Sequence, residues 1–444
     1  MEFSPYFINH NLFIDSNIPV DFEDLYVGTN TNSGNGLIAT SLAKILGVET
    51  YPGGIQNIFT CRKEHVDFAY VNKNYSHAIL ILQDHIGEQW NHLPWARMQG
   101  VLEALDLPLI VFSLGSCGVD KTPEVIANEI STPAKNFFGY LSRKAVSIGI
   151  RGTVTGQVMD LLGISNYQVV GCPTYFESGR DRVVERPTLT PESMVVGAGL
   201  FTSNTIEPVR YVLQSEVELL KALIDIAPIT PQDASTFMDV PWPDYAPKFL
   251  DALAHDRVNF FTDPTEWSEL FDESVALTVG TRVHGSIVSL NKGRPSLVTA
   301  GDVRAEEMCR LFQIPHYPGA YLADVPLDEL AEMADPTGLN AAYPQLYDNF
   351  RAWLVDTCHL PIPEKPLESI DWNIYRAALL PGPVAAERLR GAYASSITAD
   401  VVARHEELLA HSADVENTLA ALYQSPSWRM TKPLRWILDK LRRQ

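Results

Sequence analysis

Val275-Ala-Leu-Thr-Val279-Gly-Thr-Arg282-Val-His284-Gly-Ser-Ile-Val-Ser-Leu290-Asn-Lys-Gly293-Arg-Pro295-Ser-Leu-Val-Thr-Ala300-Gly-Asp302-Val-Arg304 holds two strand-loop-helix units in succession. Residues 275–279 are short and apolar, Gly280 to Arg282 make a turn, and 284–290 open a helix that stops at Asn291-Lys-Gly293. Pro295 starts the next strand, 296–300, Gly301-Asp302 turns the chain, and Met308, Leu311 and Phe312 recur at helical spacing. Strands alternating with helices in this way build a parallel sheet, whose ligands sit beyond the carboxyl ends of the strands. Arg282, His284 and Arg304 stand at those ends, so the order of residues predicts their convergence on one anion, with amides of the helix start contributing. The structural alternative pairs both arginines with Asp302, Glu306 or Glu307 and leaves His284 as a satisfied buried histidine.

Working back from this stretch, the same alternation recurs. Residues 25–27, 78–82, 109–112, 145–150 and 168–170 read as strands, with helical runs at 37–46, 96–105 and 154–162. A polar, proline-bearing passage at 178–191 separates this series from a second one that begins at 194–197 and runs through a helix near 215–226 and a strand at 258–261. The fold class expected is α/β: two doubly wound Rossmann-like domains facing each other in a GT-B-like arrangement, plus a helical C-terminal extension. The boundaries expected are 1–180, 190–360 and 361–444.

Arg151 repeats the logic of the opening stretch in the first domain. It ends the apolar strand 146–150, and Gly152-Thr-Val-Thr155 supplies a turn and hydroxyl caps for the following helix. A guanidinium at a strand end is a fork suited to carboxylate or phosphate. Two glycine-bearing turns, Gly28-Thr-Asn-Thr-Asn32-Ser-Gly34-Asn35-Gly36 and Gly115-Ser-Cys-Gly118, offer amides at the same edge but match neither a Walker loop nor a full dinucleotide fingerprint. Asp84 and His85 close the strand 79–82 and are candidate bases facing the cleft. The eleven histidines show no metal-binding spacing, so no metal site is expected.

At 444 residues the chain exceeds one ordinary core. Its net charge of -20 argues against a nucleic-acid binder, which needs a basic field, but leaves room for a small anion held by local arginines. The five cysteines, at 61, 117, 172, 309 and 358, are scattered and indicate neither a disulfide framework nor zinc. A cytoplasmic protein is expected: the first residues lack a signal-peptide pattern and no apolar run of about 18 residues suggests a span. A long helix is expected over 385–423. The end, 425–444, carries six basic residues against one acidic, interleaved with Trp428, Trp436 and leucines. Contact with an anionic membrane surface and docking on an acidic body are both open for it.

Three blocks resemble the polysaccharide pyruvyl transferase family. They are Asn32-Ser-Gly-Asn-Gly-Leu-Ile38; Ser147-Ile-Gly-Ile-Arg-Gly152 through Leu161-Leu-Gly-Ile164 to Gly171-Cys-Pro-Thr174; and Gly280-Thr-Arg-Val-His-Gly285 with Gly293-Arg-Pro295 and Asp302-Val-Arg304. The resemblance spans roughly 25–315, and the last block is the specific one. It implies a GT-B-like fold, phosphoenolpyruvate as donor, no cofactor, and a pyruvate ketal on two hydroxyls of a saccharide, lipid-linked or free. By position it implies Arg151, His284 and Arg304 as the donor-binding and catalytic set, with Arg151 and His284 as the catalytic residues; Arg282, from its own turn, is expected beside them as a supporting cation for the donor. Asn32, Asn35, Asp84 and His85 fall on the acceptor side, although many relatives have an acidic residue where this chain has Asn35. The 425–435 stretch also resembles the end of some bacterial polysaccharide-assembly glycosyltransferases, and work at the inner face of a membrane would suit it. Two other readings stand beside this one. The first is a glycosyltransferase with Arg282 and Arg304 on a nucleotide-sugar diphosphate, although no acidic residue stands out for the ribose. The second is a non-catalytic glycan-assembly protein.

Overall fold

The computed structural model describes residues 3–425, apart from 16, 120, 200–201, 204–205, 241–244, 320 and 323–324. Two six-stranded parallel sheets with helices organise the chain. The first has the strand order Gly54–Ile55, Pro5–Ile8, His77–Ile81, Leu109–Leu114, Ala145–Ile150, Tyr167–Val169. The second has the order Val258–Phe260, Arg210–Leu213, Met194–Ala198, Val275–Gly280, Ser296–Ala300, His316–Pro318. Central strands such as Leu109–Leu114 and Ser296–Ala300 are buried at every position. This is why they read as unbroken apolar runs rather than as alternations.

One apolar cluster covers a face of the first sheet, with Val101, Phe137 and Val158 among its members. A second cluster, including Leu220, Phe249 and Leu253, belongs to the other half. The largest joins the halves: Ile38, Ile79 and Phe112 pack in the same cluster as Ile287, Met308 and Phe312. After the second sheet the helix Thr337–Ala352 brings the chain back to the first, where the Trp353 indole donates to Ser147 Oγ at 3.0 Å. Residues 360–374 then run along the first half, with Leu367 N–H bonded to Lys44 O and Asp371 N–H to Glu49 O, and 376–380 cross to the second, where Leu380 N–H bonds to Leu223 O. The last helix, Gly382–Gln424, buries Ala385, Ala386 and Leu389 against the second half and is exposed from about residue 399 onward.

Two expectations need correction. Residues 25–27 are not a strand but part of the helix Phe22–Gly28, capped by Asp21, whose carboxylate accepts from Asp24 N–H at 2.8 Å. The strand at that end of the chain is Pro5–Ile8, which pairs with His77–Ile81 inside the sheet. Its first residue is proline, tolerated there because the position needs no ladder N–H. Hydroxyl capping of the helix Thr153–Leu161 is also absent: Gly152 is its N-cap, and the carboxylate of Glu307 takes that role from the other half. The basic end, 426–444, lies outside the described residues. Among the described residues no helix is long and apolar enough to cross a membrane.

Candidate anion-binding cleft

A cavity of about 200 Å3 lies where the carboxyl ends of both sheets meet. The first half lines it with Tyr26, Asn30, Thr31, Asn32, Asn35, Asp84, Trp90 and Arg151, and the second with Gln214, Ser215, Arg282, Val283, His284, Arg304 and Met308. Asn32, Asn35, Asp84, Arg151, Arg282, His284 and Arg304, all singled out in the sequence, therefore reach one space, whereas the Gly115–Gly118 turn and His85 do not line it. That imidazole is 1% exposed, packed between the rings of Phe59 and Trp90, and its Nδ1 accepts from Gln83 N–H at 3.0 Å. Burial is the main force lowering its pKa to about 4, so His85 is a neutral structural residue behind the cavity rather than a base in it.

Arg151 comes from the end of Ala145–Ile150 and is 2% exposed. Its Nε donates to Ser113 Oγ at 3.0 Å, while Nη2 is buried with no hydrogen-bond partner. Ser113 has φ of 65°, a left-handed conformation inside a strand, at the point where the pairing of the two central strands shifts register. Such backbone strain is uncommon for a residue with a side chain, and here it accompanies a hydroxyl set against the arginine. Gly115 leaves room for the same side chain: a Cβ there would sit 2.8 Å from Arg151 Cδ.

Arg304 lies in the first turn of the helix Val303–Phe312, next to the cap Asp302. Its Nη2 meets Asp302 at 3.0 Å, and its Nη1 reaches across to Asp84 at 3.0 Å. Asp84 also stands 3.9 Å from Arg151, so one carboxylate joins the two guanidinium groups across the halves. Burial alone would raise the pKa of Asp84; Arg304, then Arg151 and His85, more than offset it and hold it at about 2. Asp84 raises the pKa of Arg304 in turn, against the effect of burial. At neutral pH both arginines are charged and Asp84 is ionised, and such a carboxylate is a poor proton acceptor while it is so paired.

Arg282 is held differently from either expectation. Its Nε and Nη2 meet Glu216 Oε1 at 2.8 and 2.7 Å. Glu216 is buried and also accepts from Gln214 and Ser215 N–H, and these contacts together with Arg282 keep its pKa low against the cost of burial. An acidic residue thus stands three positions after the strand Arg210–Leu213, and Arg282 and two amides occupy it. Glu307, expected as a partner of the arginines, instead accepts from Thr155 N–H at 3.0 Å and Thr155 Oγ1 at 2.6 Å. Gly152 makes that approach possible, since a Cβ there would come within 2.5 Å of the Glu307 carboxylate.

His284 lies in the first turn of Val283–Asn291 and is 9% exposed. Burial, followed by the positive charges of Arg151 and Arg304, lowers its pKa to about 3, with Asp84 opposing. It is neutral at physiological pH, not balanced near 6.5 as a free histidine would be. Asn32 and Asn35 shape the first glycine turn: Asn32 Oδ1 accepts from Gly34 N–H, and Asn35 Nδ2 donates to the carbonyls of Thr29 and Asn30. Trp90 and Gln214 belong to the lining but were not foreseen, and Gln214 Nε2 is another buried donor without a partner. Among the described residues no group of His, Cys, Asp or Glu is arranged to hold a metal ion.

Comparison with known proteins adds the family. Two solved structures of Anabaena Alr3699/HepE show similarity, one in complex with UDP (12% identity, 65% of this chain and 77% of that chain, TM-score 0.27) and one with UDP-glucose (11%, 78% and 82%, TM-score 0.25). At these TM-scores they support no further argument. Comparison with curated proteins gives no match. The family model described as polysaccharide pyruvyl transferase matches residues 32–302, which include Asn32, Asn35, Asp84, Arg151, Arg282 and His284 and end two residues before Arg304. With that match covering more than half of its length, the chain belongs to the polysaccharide pyruvyl transferase family, a family of transferases.

Proposed function

We propose that this protein transfers pyruvate from phosphoenolpyruvate to two hydroxyls of a sugar in a cell-surface or exopolysaccharide precursor, forming a ketal and releasing phosphate. The observation that carries this reading is the meeting of Arg151, Arg304 and His284, from both halves, in one cavity of about 200 Å3. Drug-sized ligands occupy pockets of roughly 300–1,000 Å3, so a compact, highly charged donor suits the space better than a nucleotide sugar. Two buried unpartnered donors, Arg151 Nη2 and Gln214 Nε2, also call for an oxygen-rich ligand.

In this mechanism Arg151 and Arg304 take the donor's carboxylate and phosphate, displacing Asp84, and Arg282 supports the site through its Glu216 pair. The donor's negative charge raises the His284 pKa from its low value, and His284 then delivers a proton to the terminal enol carbon. The ketal carbon becomes cationic and a sugar hydroxyl attacks it. The second hydroxyl displaces phosphate. One hydroxyl proton restores the histidine and the other departs with phosphate, so the reaction balances without a redox or metal cofactor. Once its arginines are engaged by the donor, Asp84 is released from its ion pair and becomes basic enough to relay to phosphate the hydroxyl proton that departs with it. The side chains of Asn32 and Asn35 edge the acceptor side.

The same reading assigns the acceptor side to residues 1–180, the donor side to 190–360 and an extension to 361–444, in two Rossmann-like units with GT-B-like disposition. It places the protein in the cytoplasm at the inner membrane face, with 426–444 as the membrane contact and a lipid-linked saccharide as acceptor. The direct test incubates the protein with saccharide acceptors and either labelled phosphoenolpyruvate or nucleotide sugars. Label transfer with phosphate release from phosphoenolpyruvate supports the proposal. Transfer from a nucleotide sugar alone overturns it.

A further inference from the structure

Cys172 belongs to the Gly171-Cys-Pro-Thr174 block, and the mechanism above does not use it. It is fully buried, and three groups converge on its sulfur. Ser113 Oγ donates to it at 3.2 Å, Thr174 Oγ1 donates to it at 3.1 Å, and His284 Nε2 lies 3.7 Å away. The Ser113 hydroxyl is itself the acceptor for Arg151 Nε at 3.0 Å. Donation therefore runs in one direction, from the Arg151 guanidinium to Ser113 and from Ser113 to Cys172.

With two hydroxyl hydrogens pointing at it, the sulfur has its own S–H left to give, and the acceptor within reach is His284 Nε2. A ring nitrogen that accepts carries no hydrogen while the imidazole is neutral, as burial keeps it here. The hydrogen of neutral His284 is then on Nδ1, which has no hydrogen-bond partner among the described residues, on a side chain that lines the cavity. We infer that Cys172 is a positioning residue: its thiol fixes the His284 tautomer so that the nitrogen available to the ligand is a donor, Nδ1–H, rather than a bare lone pair. An anionic ligand gains a hydrogen bond from that arrangement and would be repelled by the other tautomer. The left-handed backbone at Ser113 then has a use, because it accompanies a hydroxyl that bonds to both Arg151 and Cys172. The functional part of this inference rests on the proposed reading of His284 as a donor-site residue, but the tautomer itself does not.

The test is nitrogen NMR on the full chain with 15N-labelled histidine, with the His284 signals assigned by their loss in His284→Asn. The expected result at neutral pH is a protonated, pyrrole-like Nδ1 and an unprotonated, pyridine-like Nε2. Cys172→Ser retains an X–H donor and should keep this pattern; Cys172→Ala removes it and should shift the signals toward a mixture of tautomers. If Cys172→Ala fails to fold, the wild-type spectrum still decides: a protonated Nε2 overturns the inference. An unchanged pattern in a folded Cys172→Ala does so as well. In steady-state assays with phosphoenolpyruvate, Cys172→Ala should lose about 10-fold in kcat/KM, with Cys172→Ser restoring most of it. The predicted tautomer in an inactive protein would sink the proposed reaction and leave the tautomer assignment standing.

Discussion

Binding of phosphoenolpyruvate should draw a proton onto His284, and the amount can be worked out from the cleft. The His284 pKa is about 3, set by burial and then by Arg151 and Arg304. The donor carries up to three negative charges, two of them matched by those arginines, which leaves about one acting on the imidazole. A unit charge at about 4 Å in surroundings of effective dielectric about 20 is worth about 4 kcal/mol, or about three pKa units. The His284 pKa in the complex is then about 6. Calorimetry in buffers of different ionisation enthalpy counts the protons taken up on binding. The donor phosphate titrates in the same range, near pH 6, so the quantity to read is wild type minus His284→Asn. That difference should be about half a proton at pH 6 and near zero at pH 8, and binding should tighten as the pH falls. Equal proton counts for the two proteins across this range would refute His284 as the group that charges on binding.

Four further outcomes are expected. Replacing His284 by Ala should cut turnover by roughly 100-fold or more while circular dichroism shows an intact fold. Arg304→Lys keeps the charge but loses the planar fork between Asp84 and Asp302, and should weaken phosphoenolpyruvate binding by about 1 to 2 kcal/mol in a calorimetric titration. Glu307→Ala strips Thr155 N–H and its hydroxyl of their buried acceptor and should destabilise the protein by about 1 to 3 kcal/mol in urea unfolding, with Glu307→Gln milder. Because burial sets the folded-state pKa of His284 below its unfolded value, its contribution is complete above about pH 6.5 and is lost as the pH falls toward 3. Between pH 7 and pH 5 wild type should therefore lose about 2 kcal/mol relative to His284→Asn, which denaturant titrations at the two pH values would show.

The stretch 275–304 was legible because both of its strands are buried at every position but Ala276 and each ends in a glycine-bearing turn, so apolar runs and breakers mark their ends closely. Arg282, His284 and Arg304 could be placed in one region by chain order alone, since a parallel sheet gathers the ends of its strands, whereas Arg151 ends a strand of the other sheet and meets them only through how the two sheets are set. Their partners were another matter. Glu216 follows the four-residue strand Arg210–Leu213, too short to announce itself, and the carboxylate was overlooked along with it. Asp84 was found as a strand end, but its bridge to Arg304 spans the two halves and depends on how the sheets are set, which no local pattern carries. His85 was assigned to the cleft because it neighbours Asp84, whereas adjacent residues leaving a strand point in opposite directions. The role of Glu307 was hidden for a different reason: Gly152 creates the space for it from a distant part of the chain.

The helix Gly382–Gln424 has 43 residues, and at about 1.5 Å per residue it measures about 65 Å, longer than the span of an ordinary domain. Only its beginning is anchored on the second half, so the remainder acts as a rigid spar. Its last described turn, at Gln424, lies tens of Å from where the helix leaves the body. Any surface gripped at that tip would hold the body at a standoff, and shortening the spar by whole turns would bring that body closer in steps of about 5.4 Å.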